Sequence, residues 1–171
     1  MDLRDIKEFL KDALKYIIAI VVILIFAIYV VSFQEVIGPS MNNTLKSGDI
    51  TVVNKLVFRL RNIKRNEIVS LKKDDKIMVK RIIGLPGEHI EYKDNILYVD
   101  GKKISDSRSS STKDFKLEFI GYDTIPKDMY LVLGDNRTNS SDSRTFGLVK
   151  KSDIIGKVNI RIYPFNKIKI F

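Results

Sequence analysis

Residues 16–33, YIIAIVVILIFAIYVVSF, divide the chain into a short charged tail and a longer remainder of mixed character. The stretch contains no charged side chain and is apolar on every side, whereas a helix on the surface of a soluble domain has one apolar stripe. It is long enough to cross a hydrocarbon layer of about 30 Å as a helix. We therefore predict a transmembrane helix over residues 16–33, a tail at 1–15 and a folded domain at 34–171.

Two other interpretations of this apolar stretch are a cleavable signal peptide and a buried core helix. A signal peptide has an apolar region of about 7–15 residues, followed by small residues at its cleavage site. Here Gln34, Glu35 and two β-branched residues follow instead. The core helix is disfavoured because the run is apolar all round.

The flanks of the stretch predict its orientation. Residues 1–15 contain Arg4, Lys7, Lys11 and Lys15, whereas residues 31–45 contain neither lysine nor arginine. The positive-inside rule therefore places the tail in the cytoplasm and the domain on the outer face of the cell membrane. Because acidic residues balance the tail, the net charge of +9 belongs to the outer domain and favours anionic membrane lipids as partners.

Composition excludes several classes of function. The chain contains no cysteine, which excludes thiol catalysis, cysteine-based zinc sites and thiol redox chemistry. Nucleic acid is the usual partner of a basic domain, but a domain outside the cell seldom meets it. We therefore expect no nucleic-acid partner.

Beyond residue 34, β-branched and aromatic residues recur in short alternating runs between turn-forming residues, which predicts strands. The runs are residues 49–53, 67–71, 76–83, Ile96–Val99 and Met129–Leu133. Asp100-Gly101, just before Lys102–Ile104, is the strongest hairpin signal in the chain. The predicted fold is mostly β: a single N-terminal transmembrane helix followed by an extracytoplasmic antiparallel β domain of short strands.

Two segments carry a weaker pattern. Residues 105–112, SDSRSSST, predict a polar loop. Residues 55–64, KLVFRLRNIK, form either a strand followed by a loop or a short surface element resting on the bilayer. We favour the strand and loop.

Ser40 is the candidate nucleophile, within residues 38–45 (GPSMNNTL). Gly38 tolerates a positive φ and Pro39 locks its own φ, so the serine stands on a rigid corner. A plain turn is the alternative. A serine also needs a base to take its proton. The only histidine, His89, follows a Pro-Gly turn without an evident acidic partner, and we expect it to be an ordinary strand or surface residue.

Lys80 is the candidate base. Alternation along a strand puts Met78, Lys80 and Ile82 on one face, and apolar neighbours disfavour the ammonium form. A free lysine has a pKa of about 10.4, so a neutral amine near pH 7 needs a pKa that is lower by several units. The turn at residues 84–87 opens space beside the strand. A lysine that simply points into water is the alternative.

Residues 134–144, GDNRTNSSDSR, form a third informative stretch. They do not fit a calcium loop, because serine and phenylalanine stand where glycine and glutamate are needed. The stretch is either a polar turn or a support, in which Ser140 aims the lysine amine while Asp142 and Arg144 or Arg137 hold the loop. The Ser-x-x-Lys and Gly-x-Ser-x-Gly patterns of other serine enzymes are absent.

Four stretches together resemble the bacterial type I signal peptidases, in the small Gram-positive-like form with a Ser-Lys dyad. The resemblance is carried by residues 38–41 with Thr44-Leu45, then 47–50, 80–88 and 134–144, in the family's order behind one N-terminal span. It implies a membrane-anchored serine endopeptidase that removes N-terminal signal peptides from exported preproteins through an acyl-enzyme, without a metal or cofactor. It also implies a small inserted β region at about residues 89–128.

The resemblance assigns roles residue by residue. It makes Ser40 the nucleophile, with its backbone N–H as an oxyanion donor, and Lys80 the general base. Some family members add a serine hydroxyl two positions earlier, where this chain has Gly38. The supporting residues implied by the resemblance are Ser140, Asp142, Asp135 and Arg144. The implied pocket for small side chains at a cleavage site is lined by Val36, Met41, Leu45, Met78 and Val79.

This chain departs from the family's pattern at two turns. Asn43 stands where a proline often precedes Thr-Leu, and Asn66-Glu67 replaces a common Gly-Asp. Three rival functions are a catalytically silent homologue that assists the assembly of surface proteins, a self-cleaving Ser-Lys repressor-type protease, and a basic membrane adaptor. The apolar stretch and residues 134–144 argue against the repressor type, and the presence of both Ser40 and Lys80 argues against a silent homologue.

Overall fold

The computed structural model describes residues 3–106 and 111–171. Helix α1 (Leu3–Val30) buries none of its residues against the domain and, by length and composition, is able to cross a membrane. The predicted boundary at residue 33 is wrong, since the helix ends at Val30. The residues that follow pair in register as a strand, with Val31 opposite Asn54.

Within the described residues, twelve strands form two antiparallel sheets, which confirms the predicted mostly β fold. The strands are β1 (Val31–Glu35), β2 (Ile50–Asn54), β3 (Ile68–Lys73), β4 (Lys76–Gly84), β5 (Ile90–Lys93), β6 (Ile96–Val99), β7 (Lys102–Ile104), β8 (Phe115–Lys116), β9 (Met129–Leu133), β10 (Val149–Lys150), β11 (Ile154–Tyr163) and β12 (Lys169–Ile170). The larger sheet has the order β1-β2-β11-β3-β4-β9-β10, with β12 paired to β11. The smaller sheet, β7-β6-β5-β8, lies between β4 and β9 in the chain.

Three hairpins close with a two-residue turn in which both residues have a left-handed backbone conformation. Asp100 and Gly101, at φ 50° and 73°, join β6 to β7 as predicted. The pairs Asp74-Asp75 and Asp94-Asn95 also have positive φ values and join β3 to β4 and β5 to β6. Two-residue turns with positive φ match the right-handed twist of the strands, and Asp, Asn and Gly tolerate that conformation best.

The two segments with a weaker sequence pattern are residues 55–64 and 105–112. Residues 55–64 do not begin with a strand but contain a single helical turn, α2 (Val57–Leu60). The side-chain oxygen of Asn54 accepts hydrogen bonds from the N–H groups of Leu56 and Val57, at 2.9 and 3.1 Å, and so starts a turn where the strand ends. In the predicted loop 105–112, residues 107–110 lie outside the described residues.

The strand that carries Lys80 is fixed by packing on both faces of the larger sheet. Ile83 of β4 contributes to a core shared with the smaller sheet, whereas Ile82 packs in a cluster with Val132 of β9. Val79 joins a third cluster that includes Met41 and Leu45 from the chain between β1 and β2. These contacts bring the β1–β2 connection against β4.

A buried ion pair joins β4 to the chain that follows β9. Arg81 donates from Nε and Nη2 to the carboxylate of Asp135, at 2.7 and 2.5 Å, and both side chains are at most 1% exposed. Nη1 of Arg81 also donates to the carbonyl oxygen of Asn66. The hydroxyl of Thr44 donates to Asp135 at 2.5 Å, so three separate segments meet at this pair.

We expect Gly156→Ala to destabilise the domain by about 1–3 kcal/mol, which is typical of overpacking. An added Cβ at this position in β11 would lie 2.4 Å from the backbone oxygen of Asn54. Gly84→Ala is the matched control, because its nearest contact, also at 2.4 Å, is the movable side-chain end of Ile125. Thermal unfolding in detergent, followed by circular dichroism, measures both. An equal loss in the two variants contradicts the assignment of the cost to a backbone collision.

Arg81→Met should cost about 3–5 kcal/mol of unfolding free energy, because it leaves the carboxylate of Asp135 buried without its counter-charge. The control is Lys72→Met, which removes an exposed pair with Asp75 and should cost less than about 1 kcal/mol. Denaturant unfolding of the two variants distinguishes these values. Comparable losses would show that Arg81 contributes no more than a surface pair.

Candidate active site

The side chains of Ser40 and Lys80 meet, with Lys80 Nζ 2.7 Å from Ser40 Oγ. Ser40 begins the turn between β1 and β2, and Lys80 lies on β4. The structure therefore brings together the two residues singled out in the sequence as nucleophile and base. At this distance a proton can pass between hydroxyl and amine directly.

The corner that carries Ser40 is rigid. Gly38 has φ 83°, the conformation anticipated from its residue type. After the serine, the carbonyl oxygen of Met41 accepts hydrogen bonds from the N–H groups of Thr44 and Leu45, at 3.0 and 2.8 Å, in a tight turn. Asn43 within this turn has φ 82°, which a proline could not adopt. The departure from the family's proline therefore accompanies a different local backbone.

The amine of Lys80 lies in a dry environment. The residue is 3% exposed, and burial is the largest influence on its pKa, which is lowered from the ordinary value. The carboxylate of Asp142 opposes this shift, whereas the guanidinium of Arg144 adds to it. The net effect favours the neutral amine that a general base requires.

Residues 134–144 fold beside the lysine, held by their own charged side chains. Asp142 accepts hydrogen bonds from the N–H of Gly134 at 3.0 Å and from Nε of Arg144 at 2.8 Å. It also begins helix α3 (Ser143–Phe146) as the N-cap residue. Arg144 donates further to the carbonyl oxygen of Arg137, and Asp135 is anchored by Arg81. The contacts of Asp135, Asp142 and Arg144 thus agree with the predicted role of holding this loop.

Ser140 does not make the predicted hydrogen bond to the lysine. Its buried Oγ has no hydrogen-bond partner among the described residues. It packs instead against Gly134, where an added Cβ would lie 2.2 Å from Ser140 Oγ and 2.4 Å from the carbonyl oxygen of Ser40. Gly134 is therefore required for the close approach of these two segments.

A groove with a volume of about 250 Å³ leads to the Ser40–Lys80 contact. One wall is the chain at residues 34–40 and the other is residues 77–80 of β4. Both walls have an unpaired strand edge, because β1 ends the larger sheet and β9 pairs with β4 only from Arg81 onward. Extended backbone on each side leaves hydrogen-bonding groups open to an added chain.

Three of the five predicted pocket residues line this groove: Val36, Met78 and Val79. Met41 and Leu45 do not, and both are fully buried in the cluster beneath it. The tight turn between them explains the difference, because it directs both side chains into the domain. The sequence also did not indicate the other lining residues, among them Ile77, Asn139 and Ser141.

Two further residues support the site: Asn136, which the sequence did not single out, and Arg137, which the sequence offered as a residue that holds the loop. Asn136 donates from its N–H to the carbonyl oxygen of Ser40 at 3.0 Å and from Nδ2 to that of Pro39 at 3.2 Å. Arg137 is buried, donates to the carbonyl oxygen of Gly134 and pairs with Asp106, next to the smaller sheet. The polar residues of 134–144 were a signal of such contacts, but their partners lie far away in the chain.

The lone histidine lies away from the groove. Nδ1 of His89 is 2.7 Å from the carbonyl oxygen of Asp123, near the start of the smaller sheet. Among the described residues, His, Asp and Glu form no cluster that fits a metal ion.

Comparison with known proteins identifies the family. The model of the signal peptidase family, peptidase S26, matches residues 7–163. The chain is 41% identical to signal peptidase I of Bacillus caldolyticus over 166 residues, which covers 89% of this chain and 90% of that protein. It is 35% identical to signal peptidase IB of Staphylococcus aureus over 181 residues, covering 95% and 94% of the two chains.

A solved structure of the same family is also similar to this chain. The crystal structure of a signal peptidase I from Enterococcus faecalis V583 matches with a TM-score of 0.54 and 36% identity, covering 58% of this chain and 98% of that one. The chain therefore belongs to the signal peptidase family, peptidase S26, whose members are serine endopeptidases.

Proposed function

We propose that this protein removes N-terminal signal peptides from exported preproteins, with Ser40 as nucleophile and Lys80 as general base. The observation that carries the proposal is the 2.7 Å contact between Ser40 Oγ and Lys80 Nζ in a dry site. Family membership supports the removal of signal peptides as the reaction. The roles of the individual residues rest on geometry and chemistry.

The reaction begins with a proton transfer. The neutral amine of Lys80 takes the hydroxyl proton of Ser40 as Oγ attacks the scissile carbonyl carbon. The resulting ammonium then gives a proton to the leaving amine when the peptide C–N bond breaks, which leaves an ester on Ser40. A water molecule that loses its proton to the neutral amine hydrolyses this ester and regenerates the hydroxyl.

The negative charge on the carbonyl oxygen during attack needs hydrogen-bond donors. The backbone N–H of Ser40 makes no hydrogen bond to a described residue and is available for this purpose. Gly38, two positions earlier, has no hydroxyl to contribute. Backbone donors fixed by the rigid corner therefore provide this stabilisation at no cost of reorganisation.

The groove suits an extended peptide with small side chains. A substrate strand inserted between residues 34–37 and 77–80 would pair with an unpaired edge on each side, which is the addition of a strand to a sheet. Val36, Met78 and Val79 give the groove apolar walls, and its volume of about 250 Å³ limits the side chains that fit. Preproteins with small residues at the cleavage site match these dimensions.

Helix α1 is proposed to anchor the protein in the cell membrane as a single span. The basic residues of the tail, at positions 1–15, favour a cytoplasmic N-terminus, and the absence of lysine and arginine from residues 31–45 favours an outer location for the catalytic domain. A preprotein whose own apolar segment lies in the same bilayer then meets the groove at a raised effective concentration.

Ser40→Ala and Lys80→Met should each reduce cleavage of a preprotein by about 10⁴-fold or more, because both act in one step. The double variant should lose little beyond either single variant, since the effects of groups acting as a unit are not additive. Cleavage by the full chain in detergent or liposomes is measured by gel shift of the product.

The controls remove the same functional groups elsewhere. Lys76→Met lies on the same strand as Lys80, and Ser105→Ala lies beyond the smaller sheet; both positions are exposed, and both variants should cleave at the native rate. Native rates in Ser40→Ala or Lys80→Met would sink the proposed mechanism. Binding of preproteins without cleavage by the native chain would favour a catalytically silent homologue.

The pH dependence of cleavage should report the protonation of Lys80. Because its pKa is lowered, kcat/KM should rise with pH along a limb centred below the ordinary lysine value of 10.5. Arg144→Gln removes a cation that lowers this pKa and leaves the opposing charge of Asp142, so the limb should move to higher pH. Kinetics on a soluble peptide substrate measure the profile.

Arg65→Gln is the control for that profile, because Arg65 pairs with Glu88 and is not among the charges that shift the pKa of Lys80. The limb of this variant should coincide with that of the native chain. A limb that moves to lower pH in Arg144→Gln, or does not move, contradicts the assignment of Lys80 as the base.

A further inference from the structure

A basic pocket lies where the outer end of α1 meets the β domain. Its volume is about 440 Å³, and its lining includes Lys55, Arg59 and Lys151. None of the residues that line it is acidic. The pocket is separate from the groove at Ser40, because the two share no lining residue.

Arg59 differs from the other arginines of the domain. Within the described residues beyond α1, every other arginine forms an ion pair with a carboxylate: Arg61, Arg65, Arg81, Arg137, Arg144 and Arg161. The guanidinium of Arg59 makes no ion pair or side-chain hydrogen bond with a described residue, and neither does the amine of Lys151. Two cations thus face one pocket without a counter-charge.

Lys55 fixes the pocket against the helix. Its N–H donates to the carbonyl oxygen of Val30 at 2.8 Å, and its Nζ donates to that of Ile28 at 3.1 Å. These bonds hold a positive charge at the C-terminal end of α1, where the helix dipole favours it. The amine keeps further N–H groups for a ligand.

The remaining lining is mostly apolar and consists of Tyr29, Phe58, Ile154 and Ile155, with Ser152. Tyr29 is in the last turn of α1, which is the level of the lipid headgroups if α1 spans the bilayer. The hydroxyl of the lining residue Ser152 donates to Asp153 at 3.1 Å. The charged donors of the pocket are therefore Arg59, Lys151 and Lys55.

We propose that this pocket binds the phosphate group of an anionic phospholipid, with the acyl chains running along α1. Arg59 presents paired N–H donors that match phosphate oxygens, and Lys151 and Lys55 add charge on the same ligand. The apolar lining contacts the glycerol and the first methylene groups. The inference rests on the membrane placement given above and not on the roles of Ser40 and Lys80.

The experiment uses the full chain in detergent, with bound lipid counted by native mass spectrometry. Phosphatidylglycerol should bind in preference to phosphatidylcholine at one saturable position. Arg59→Gln/Lys151→Gln should weaken phosphatidylglycerol binding by about 25-fold, at about fivefold for each charge removed. Lys102→Gln/Lys103→Gln, which removes two exposed charges from β7, should bind as the native chain does.

Further measurements test whether charge at the pocket is sufficient and whether the ligand is a lipid or a free phosphate. Arg59→Lys/Lys151→Arg retains both charges and should restore most of the binding. Inorganic phosphate or glycerol phosphate that displaces the lipid at low millimolar concentration would show a site for free phosphate and overturn the lipid assignment. An equal loss of phosphatidylglycerol binding in Lys102→Gln/Lys103→Gln would show that only net charge matters, and this result would also overturn the proposed lipid site.

The same preparations separate this inference from the catalytic proposal. Ser40→Ala should bind phosphatidylglycerol like the native chain, and Arg59→Gln/Lys151→Gln should still cleave a short soluble peptide. Lipid binding that survives the loss of both pocket cations sinks the inference, whatever the cleavage result.

Discussion

The ion pair between Arg81 and Asp135 is the constraint on which the site depends. Arg81 is the neighbour of Lys80 on β4, and Asp135 precedes Asn136, which holds the carbonyl oxygen of Ser40. Thr44, from the turn that Ser40 begins, donates to the same carboxylate. One buried pair therefore fixes the strand of the amine, the turn of the hydroxyl and the loop between them. Val79, Met41 and Leu45 pack in one cluster and so hold the same strand and turn together.

Much of the fold could be predicted because its signals are local. The run 76–83 alternates as a strand must, and Asp100-Gly101 tolerates the left-handed backbone of a tight hairpin. Residues 55–64 were misjudged because a single side chain, that of Asn54, turns the backbone before the apolar residues can extend it. The sequence also does not indicate that α1 ends at Val30. Val31 is an apolar residue that suits a helix or a strand, and its pairing with Asn54 of β2 decides for the strand.

Ser40 and Lys80, which the structure brings together, could be singled out from the sequence because hydroxyl and amine chemistry restricts the residue types and the flanking turns narrow the positions. The lining of the groove was less accessible. Met41 and Leu45 are apolar neighbours of Ser40, yet the tight turn that carries them directs both into the core. Whether a side chain on a turn faces the groove or the core depends on the backbone conformation of the whole turn, which residue type alone does not determine. Asn136 and Arg137 likewise act through partners from distant segments, and no local pattern records such pairings.

The junction of α1 and β1 has a mechanical consequence. Val30 ends the helix and Val31 begins the strand, so no connecting residue separates them, and Lys55 bonds to two carbonyl groups of the last helical turn. If α1 spans a bilayer, a tilt that adjusts to bilayer thickness would pass directly to β1, at the edge of the larger sheet. Lipid composition would in this way alter the angle between the groove and the bilayer surface, without any change in the groove itself.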